Sequence, residues 1–442
     1  NHRALTRRPC GKAMPVSGRQ PAVKALQKTE RGQGHMRLIE VAEPSCGPRQ
    51  LKIRVEYAGI CGTDVHLLHG ELPTRPPVTL GHEISGEVAD FGEKVHSFKK
   101  GDRVATAICI GCAICRYCRK GYFNLCDKLE EIGVTIDGGM AEYVSVPARN
   151  VHRIPDHVTF EEATLADPLA CSIRGLEMVS IQKDAWVTVL GPGTIGLLAV
   201  QIAKRVLRAR VIVTGTQDDR LALAREFGAD HVVNVNREDP VAFILEKTGG
   251  GADFSFEAAG SVQALENAFF STRRNGSIVA LTVHRRVQIN MEPVIRNELK
   301  VFGSICYNYK EFDQALDLIA KKKVDLDRFT PHVFPLEDYE RAFEFALSRK
   351  GIKAILMGGD GWDSPDLKAD LFEGGYFSNH YHPEDPRPIL QNFVAAYKAK
   401  YGSTPDALAT LAYDAANLLL NAIKTANSTD TDKVREALQA TK

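Results

Sequence analysis

Nowhere in its 442 residues does this chain run to the roughly 18 consecutive apolar residues that a membrane helix needs. No apolar export segment opens it either. Charge of one sign is not in excess: 56 Lys and Arg stand against 55 Asp and Glu, a formal +1. No overall field therefore draws it to nucleic acid or to an acidic lipid surface. Without an export signal, its ten cysteines are expected unpaired in a reducing cytoplasm.

Acid is missing from the start. No Asp or Glu precedes Glu30, while Arg3, Arg7, Arg8, Lys12 and Arg19 are all basic. Targeting leaders are also Arg-rich and acid-poor, but here Gly11, Pro15, Gly18 and Pro21 break any amphipathic period. Residues 1–21 are expected to be a disordered basic leader. What remains is ordinary: 44% hydrophobic residues, enough chain for a sizeable core, and a length that predicts roughly two to four domains.

From Val23 the text becomes regular. Leu51-Lys-Ile-Arg-Val-Glu-Tyr57 alternates apolar and polar, as a half-buried strand does. Short strands are expected again at 84–88, 103–107 and 143–146, so 23–160 reads as mostly β. After about residue 172 the rhythm changes. Strand 186–190, a glycine turn, a helix to Val206, strand 211–214, helix 220–227 and strand 231–235 follow one another. Strands at 254–257, 277–281 and 299–302 continue the series. Such alternation predicts a parallel sheet with helices on both faces. Past Gly303, helices over 311–320 and 336–347 and a closing strand over 352–357 return to the first unit. The expected division is therefore 22–173 with 304–357, and 174–303 inserted between them.

Cys112, Cys115, Cys118 and Cys126 give C-x2-C-x2-C-x7-C. Four thiolates satisfy tetrahedral zinc completely, so such a site braces a loop and leaves no position for substrate. Gly111 and Gly121 allow tight turns around it. Iron–sulfur ligation and a disulfide pair are the rivals. Cys109 is an extra thiol outside this pattern.

A second group is more dispersed. Cys61 sits in Gly59-Ile-Cys-Gly-Thr-Asp-Val-His66, His82 and Glu83 follow in Gly81-His-Glu83, and Asp167 lies far downstream. Cys, His and carboxylate together suit a zinc that keeps an open position. Taken singly, each has a plain structural reading: a core imidazole, a small buried thiol, a solvated acid. Thr63 and His66 bracket the cysteine, and a hydroxyl with an imidazole can carry a proton outward. Thr63 alone could equally be a turn hydroxyl. Asp64 could orient a metal-bound imidazole or simply serve as an acid at a helix start.

Gly191-Pro-Gly193-Thr194-Ile195-Gly196 is G-x-G-x-x-G between a strand and a helix. Gly191 permits the turn, Gly193 admits a pyrophosphate against the backbone, and Gly196 allows close helix packing. The helix start, with Thr194 and Ile195, offers free N–H groups to phosphate. An acid usually ends the next strand to hold the ribose diol; here Gly215 and Thr216 stand in its place. Its loss removes repulsion against a 2′-phosphate, and Arg220 is the nearest residue that could grip one. NAD and NADP both remain open.

Together these motifs, with Asp137-Gly-Gly-Met-Ala-Glu-Tyr143 and Val146-Pro-Ala-Arg-Asn150, resemble the zinc-containing medium-chain dehydrogenase/reductase family over about 23–357. The sorbitol and threonine dehydrogenase-like branch is the nearest in pattern. The resemblance implies an α/β protein: a mostly β, GroES-like catalytic domain plus a Rossmann doubly wound parallel sheet. It implies catalytic zinc at Cys61, His82 and Glu83, with Asp167 as ligand or water-bridged neighbour. The polyol branch usually carries Glu at that last position, and Asp167 is one methylene shorter. It implies a second, structural zinc, NAD or NADP, a proton relay through Thr63 and His66, a small secondary alcohol as substrate (a polyol or a hydroxy amino acid such as threonine), and a homodimer or tetramer.

The tail from Gly358 does not fit that pattern. Gly358-Gly-Asp-Gly-Trp-Asp-Ser364 and 385–401 resemble the C-terminal part of amino-acid-binding proteins of ABC importers, with helices expected over 388–401, 404–426 and after Thr431. Only part of such a protein is represented. A solute-binding module is thus one rival to the enzyme, and an inactive chimera of the two is another.

Overall fold

The computed structural model describes residues 22–284, 287–329 and 332–358. The basic leader 1–21 and the three tail helices lie outside the described residues. The chain parts into two compact units, 1–361 and 362–442, and all described residues belong to the first.

Strand Gln50–Gly59 is the spine of the β-rich part. Its alternation works as the sequence predicts: Leu51, Ile53, Val55 and Tyr57 are buried, while Lys52 and Arg54 stay half-buried. It pairs antiparallel with Glu83–Phe91, Tyr143–Pro147 and Ala354–Met357. The sheet reaches seven strands with Arg103–Thr106, Val151–Arg153 and His332–Pro335. A smaller sheet of three strands joins Met36–Ala42, Ala22–Lys28 and Val78–Thr79.

The inserted part is a six-stranded sheet in the order His231–Asn234, Arg210–Gly215, Trp186–Leu190, Ala252–Glu257, Thr272–Ala280, Lys300–Gly303. Every pairing in it is parallel. Its central strands read as apolar runs because helices cover both faces: Val187, Val189, Leu190, Val211, Ile212 and Val213 are all buried. Strand order reverses between Trp186–Leu190 and Ala252–Glu257, which opens a crevice at the carboxyl ends of those strands.

Several elements differ from the sequence expectation. The helix from Thr194 is α-helical only to Gln201, and its last turn, Ile202–Val206, is π. Helices Ala166–Glu177, Pro240–Thr248 and Val262–Ser271 were not foreseen. Ala166–Glu177 packs chiefly on helices Thr194–Gln201 and Tyr309–Ala320 and Val262–Ser271 on the parallel sheet, so burial rather than periodicity defines their apolar faces.

Candidate active site

Backbone register brings the dispersed motifs together. Gly59, at the end of its strand, pairs with Glu83, at the start of the next. Cys61 therefore follows the first strand at the point where His82 and Glu83 enter the second. A Cβ on Gly59 would lie 1.9 Å from Glu83 Oε2, so only glycine leaves room for the carboxylate. One donor atom each from Cys61, His82 and Glu83 falls within 4.8 Å of the others. His82 and Glu83 are buried, and His82 Nδ1 has no hydrogen-bond partner among the described residues.

Cys61 is also the N-cap of helix Gly62–Leu68. Asp64 Oδ2 accepts from the Cys61 N–H at 2.8 Å, so the acid at this helix start serves the cap. Thr63 Oγ1 lies 3.8 Å from Cys61 Sγ. His66 is exposed, and its Nδ1 meets Glu71 Oε2 at 2.5 Å. Thr63 is thus beside the cluster and His66 at the solvent.

The resemblance left Asp167 open between ligand and water-bridged neighbour. Asp167 is buried, but it is not among the three donors that converge. Its Oδ2 instead accepts the Tyr307 hydroxyl. Burial pushes the Asp167 carboxyl up to about 6, against the opposing pull of nearby His82.

The four-cysteine loop closes on itself. All four Sγ atoms lie within 4.8 Å of one another, and Cys115 Sγ to Cys126 Sγ is 4.0 Å. Tetrahedral zinc with bonds near 2.3 Å needs sulfurs about 3.8 Å apart. Backbone N–H groups of Cys112, Cys115, Cys118 and Lys128 donate to these sulfurs at 3.2–3.4 Å. Such donors favour the thiolate, and backbone N–H groups, that of Cys118 first, lower Cys115 to about 6. Gly121 has φ 83, as a turn requires. Gly111 matters for space instead: a Cβ there would lie 2.8 Å from Cys118 Sγ.

The glycine turn borders a cleft of about 490 Å³. Gly191, Gly193, Thr194, Gly215, Thr216 and Arg220 line one wall, and Cys61 and Lys353 line it too. Gly191 has φ 108 and approaches Ala259, whose Cα would be 2.7 Å from an added Cβ. Gly193 has open space where its Cβ would be, and Gly196 packs so close that a Cβ would meet Gly191 O at 2.0 Å. Ile195 and Gly196 sit behind the wall; the Ile195 carbonyl accepts from Ser172 Oγ at 3.0 Å. Arg220 Nη2 donates to the Arg349 and Gly351 carbonyls, and its buried Nε has no partner among the described residues. Asp218 is turned to Asn234 and Arg237 and begins helix Asp218–Glu226.

Sequence reasoning missed Lys353 and Tyr307. Lys353 is buried and its Nζ contacts Glu83. A lone lysine at the edge of the apolar closing strand was the available signal. Tyr307 is buried among Asp167, Phe312 and the Ile108 N–H. No helix among the described residues is long and apolar enough to cross a membrane.

Comparison with known proteins gives three family matches. Residues 47–156 match the alcohol dehydrogenase GroES-like domain, 194–321 the zinc-binding dehydrogenase domain, and 340–442 the periplasmic binding protein family. A sorbitol dehydrogenase of Halalkalibacterium halodurans is 37% identical over 340 residues, 76% of this chain and 99% of that protein. An L-threonine 3-dehydrogenase of Burkholderia mallei is 34% identical over 344 residues, 76% of this chain and 98% of that protein. Among solved structures, a zinc-binding dehydrogenase from Sinorhizobium meliloti 1021 bound to NADP superposes with a TM-score of 0.71 at 33% identity, covering 76% of this chain and all of that one.

Proposed function

We propose, from the premise that this chain belongs to the zinc-containing alcohol and polyol dehydrogenase family, that its first unit oxidises a secondary alcohol at Cys61, His82 and Glu83 and passes hydride to NAD or NADP. The carrying observation is that Cys61 belongs both to the converging donor set and to the wall of the glycine-turn cleft. The donors suit zinc by type and spacing, with Asp167 as a neighbour rather than a ligand. Cys112, Cys115, Cys118 and Cys126 would hold a second, structural zinc.

Zinc supplies a Lewis acid that lowers the pKa of an alcohol, and nicotinamide supplies the hydride acceptor. The chain's residues do the rest. Thr63 Oγ1 receives the proton that the alcohol sheds, and His66, held by Glu71, releases it to water. The hydrogen on carbon leaves as hydride, so one proton and one hydride account for the ketone formed. Gly191 and Gly193 present backbone to the pyrophosphate, and the start of helix Thr194–Gln201 offers its N–H groups. With no acid at Gly215 and Arg220 lining the same cleft, the adenosine end leaves room for NADP as well as NAD.

The substrate class is a polyol or a hydroxy amino acid. We place the enzyme in the cytoplasm, with no nucleic-acid or membrane partner. A homo-oligomer is supported by the edge strand Lys300–Gly303, where Val301 and the following Ile305 are exposed.

Solute binding has the match over 340–442 in its favour. Yet the part of that match within 340–358 contributes to helix Tyr339–Ser348 and to strand Ala354–Met357, which pairs into the seven-stranded sheet. Assay of NAD(P)⁺ reduction over polyols and threonine, with and without a chelator, tests the proposal. Ligand binding without turnover would favour the rival.

A further inference from the structure

Cys109 stands opposite Glu131 in the pairing of Cys109–Ile110 with Glu130–Glu131. Opposed residues of a strand pair turn their side chains to the same side. Cys306 reaches the same point from the connector that follows strand Lys300–Gly303. The two Sγ atoms and one Glu131 carboxylate oxygen all lie within 4.8 Å of one another. None of the three belongs to the Cys61 cluster or to the four-cysteine loop.

The surroundings hold both thiols in place. The Cys109 carbonyl accepts from Asn150 Nδ2 at 2.8 Å and from the Tyr309 hydroxyl at 3.2 Å. On the other side, the Ile305 carbonyl accepts from Asn124 Nδ2 at 2.8 Å, and Tyr307 is anchored on Asp167. Between those two anchors Cys306 has φ 45, a left-handed backbone that residues with a side chain rarely adopt. Such conformations persist where the surroundings enforce them, and they gather at functional sites. The Cys306 thiol in contact, and then burial, hold Cys109 well above the ordinary thiol range.

We propose that Cys109, Cys306 and Glu131 form a third metal site, selective for a thiophilic divalent ion such as zinc or cadmium. Two thiolates and a carboxylate are a zinc donor set, and three protein ligands leave a fourth position for water. Both thiol protons pass to solvent on binding. The ion ties the connector at Cys306 to strand Cys109–Ile110, one residue from the Tyr307–Asp167 contact. The inference goes beyond the proposed activity and does not require it.

The test compares the full chain with Cys306→Gly, after reduction and dialysis against buffered free zinc, by metal analysis and thermal melting. Glycine takes φ 45 without strain, so this variant removes the thiol and relieves the backbone. The wild type is expected to hold one more zinc equivalent than Cys306→Gly. Cobalt should give a thiolate-to-metal absorption band that falls correspondingly in the variant. Glu131→Gln, which keeps both thiols, should weaken the extra equivalent roughly tenfold or more. Because only the difference between proteins is read, the result stands whatever the other two sites hold. Equal metal content in wild type and Cys306→Gly overturns the proposal, as does a Cys109–Cys306 disulfide found by peptide mass in the zinc-equilibrated protein. Should Cys306→Gly fail to melt cooperatively, unchanged affinity in Glu131→Gln overturns it.

Discussion

Lys353 Nζ lies 2.5 Å from Glu83 Oε1, with both side chains almost wholly out of water. The lysine comes from the closing strand and the acid from Gly81-His-Glu83, and Ile60 N–H to Ala354 O at 2.9 Å holds the two segments in register. Lys353 also lines the cleft beside the glycine turn. One cation thus balances the Glu83 carboxylate of the converging Cys61, His82 and Glu83 group and faces the glycine-turn cleft.

With the metal removed by a chelator, loss of that cation leaves a buried carboxylate uncompensated. Lys353→Met is expected to lose about 3–5 kcal/mol of stability, read from denaturant midpoints. Adding Glu83→Gln to it should cost less than the sum of the single changes, because the two side chains share one interaction. Additive losses would mean the contact carries no energy.

Tyr307 makes a similar prediction at Asp167. Phenylalanine keeps the packing against Phe312 but takes away the hydroxyl that Asp167 accepts. Tyr307→Phe should cost about 1–3 kcal/mol by leaving a buried acceptor unpaired. A melting curve unchanged from wild type would place the hydroxyl outside the energetics of the site.

Much of this site is legible in the order of residues alone. The four cysteines and the glycine turn are local in sequence, so spacing carries their geometry. Cys61, His82 and Glu83 are readable as residue types, but their meeting depends on the register Gly59 to Glu83, which no spacing prints. Asp167 is readable as a candidate beside that cluster, but its pairing with the Tyr307 hydroxyl is a tertiary contact that no spacing prints. Lys353 and Cys306 escape sequence reasoning for a related reason: both come late in the chain, and only tertiary pairing brings them to residues about 175 to 270 positions earlier. Helices such as Ala166–Glu177 escape it because burial on several faces blurs their period.

Arg220 offers a test of cofactor preference. If it reads a 2′-phosphate, Arg220→Ala should lower kcat/KM for NADP⁺ by about tenfold, roughly 1.4 kcal/mol, and leave NAD⁺ little changed. Equal losses on both would assign Arg220 to holding the Arg349–Gly351 carbonyls instead.

The sorbitol dehydrogenase relative is matched over 99% of its length by 76% of this chain. A chain ended after Gly361, the last residue of the first unit, should therefore keep its turnover per site. Activity that appears only in the shortened chain would identify the fused tail as an inhibitor of folding or assembly.

Zinc-dependent hydride transfer at Cys61, His82 and Glu83 stands or falls with metal content and turnover read together. Its most direct test is metal content measured alongside NAD⁺ and NADP⁺ reduction over polyols and threonine, before and after a chelator, in wild type and Cys61→Ser. Alcohol-dependent turnover that the chelator abolishes and zinc restores is expected, with Cys61→Ser lacking one equivalent and the turnover together. Turnover that survives both the chelator and Cys61→Ser would contradict it.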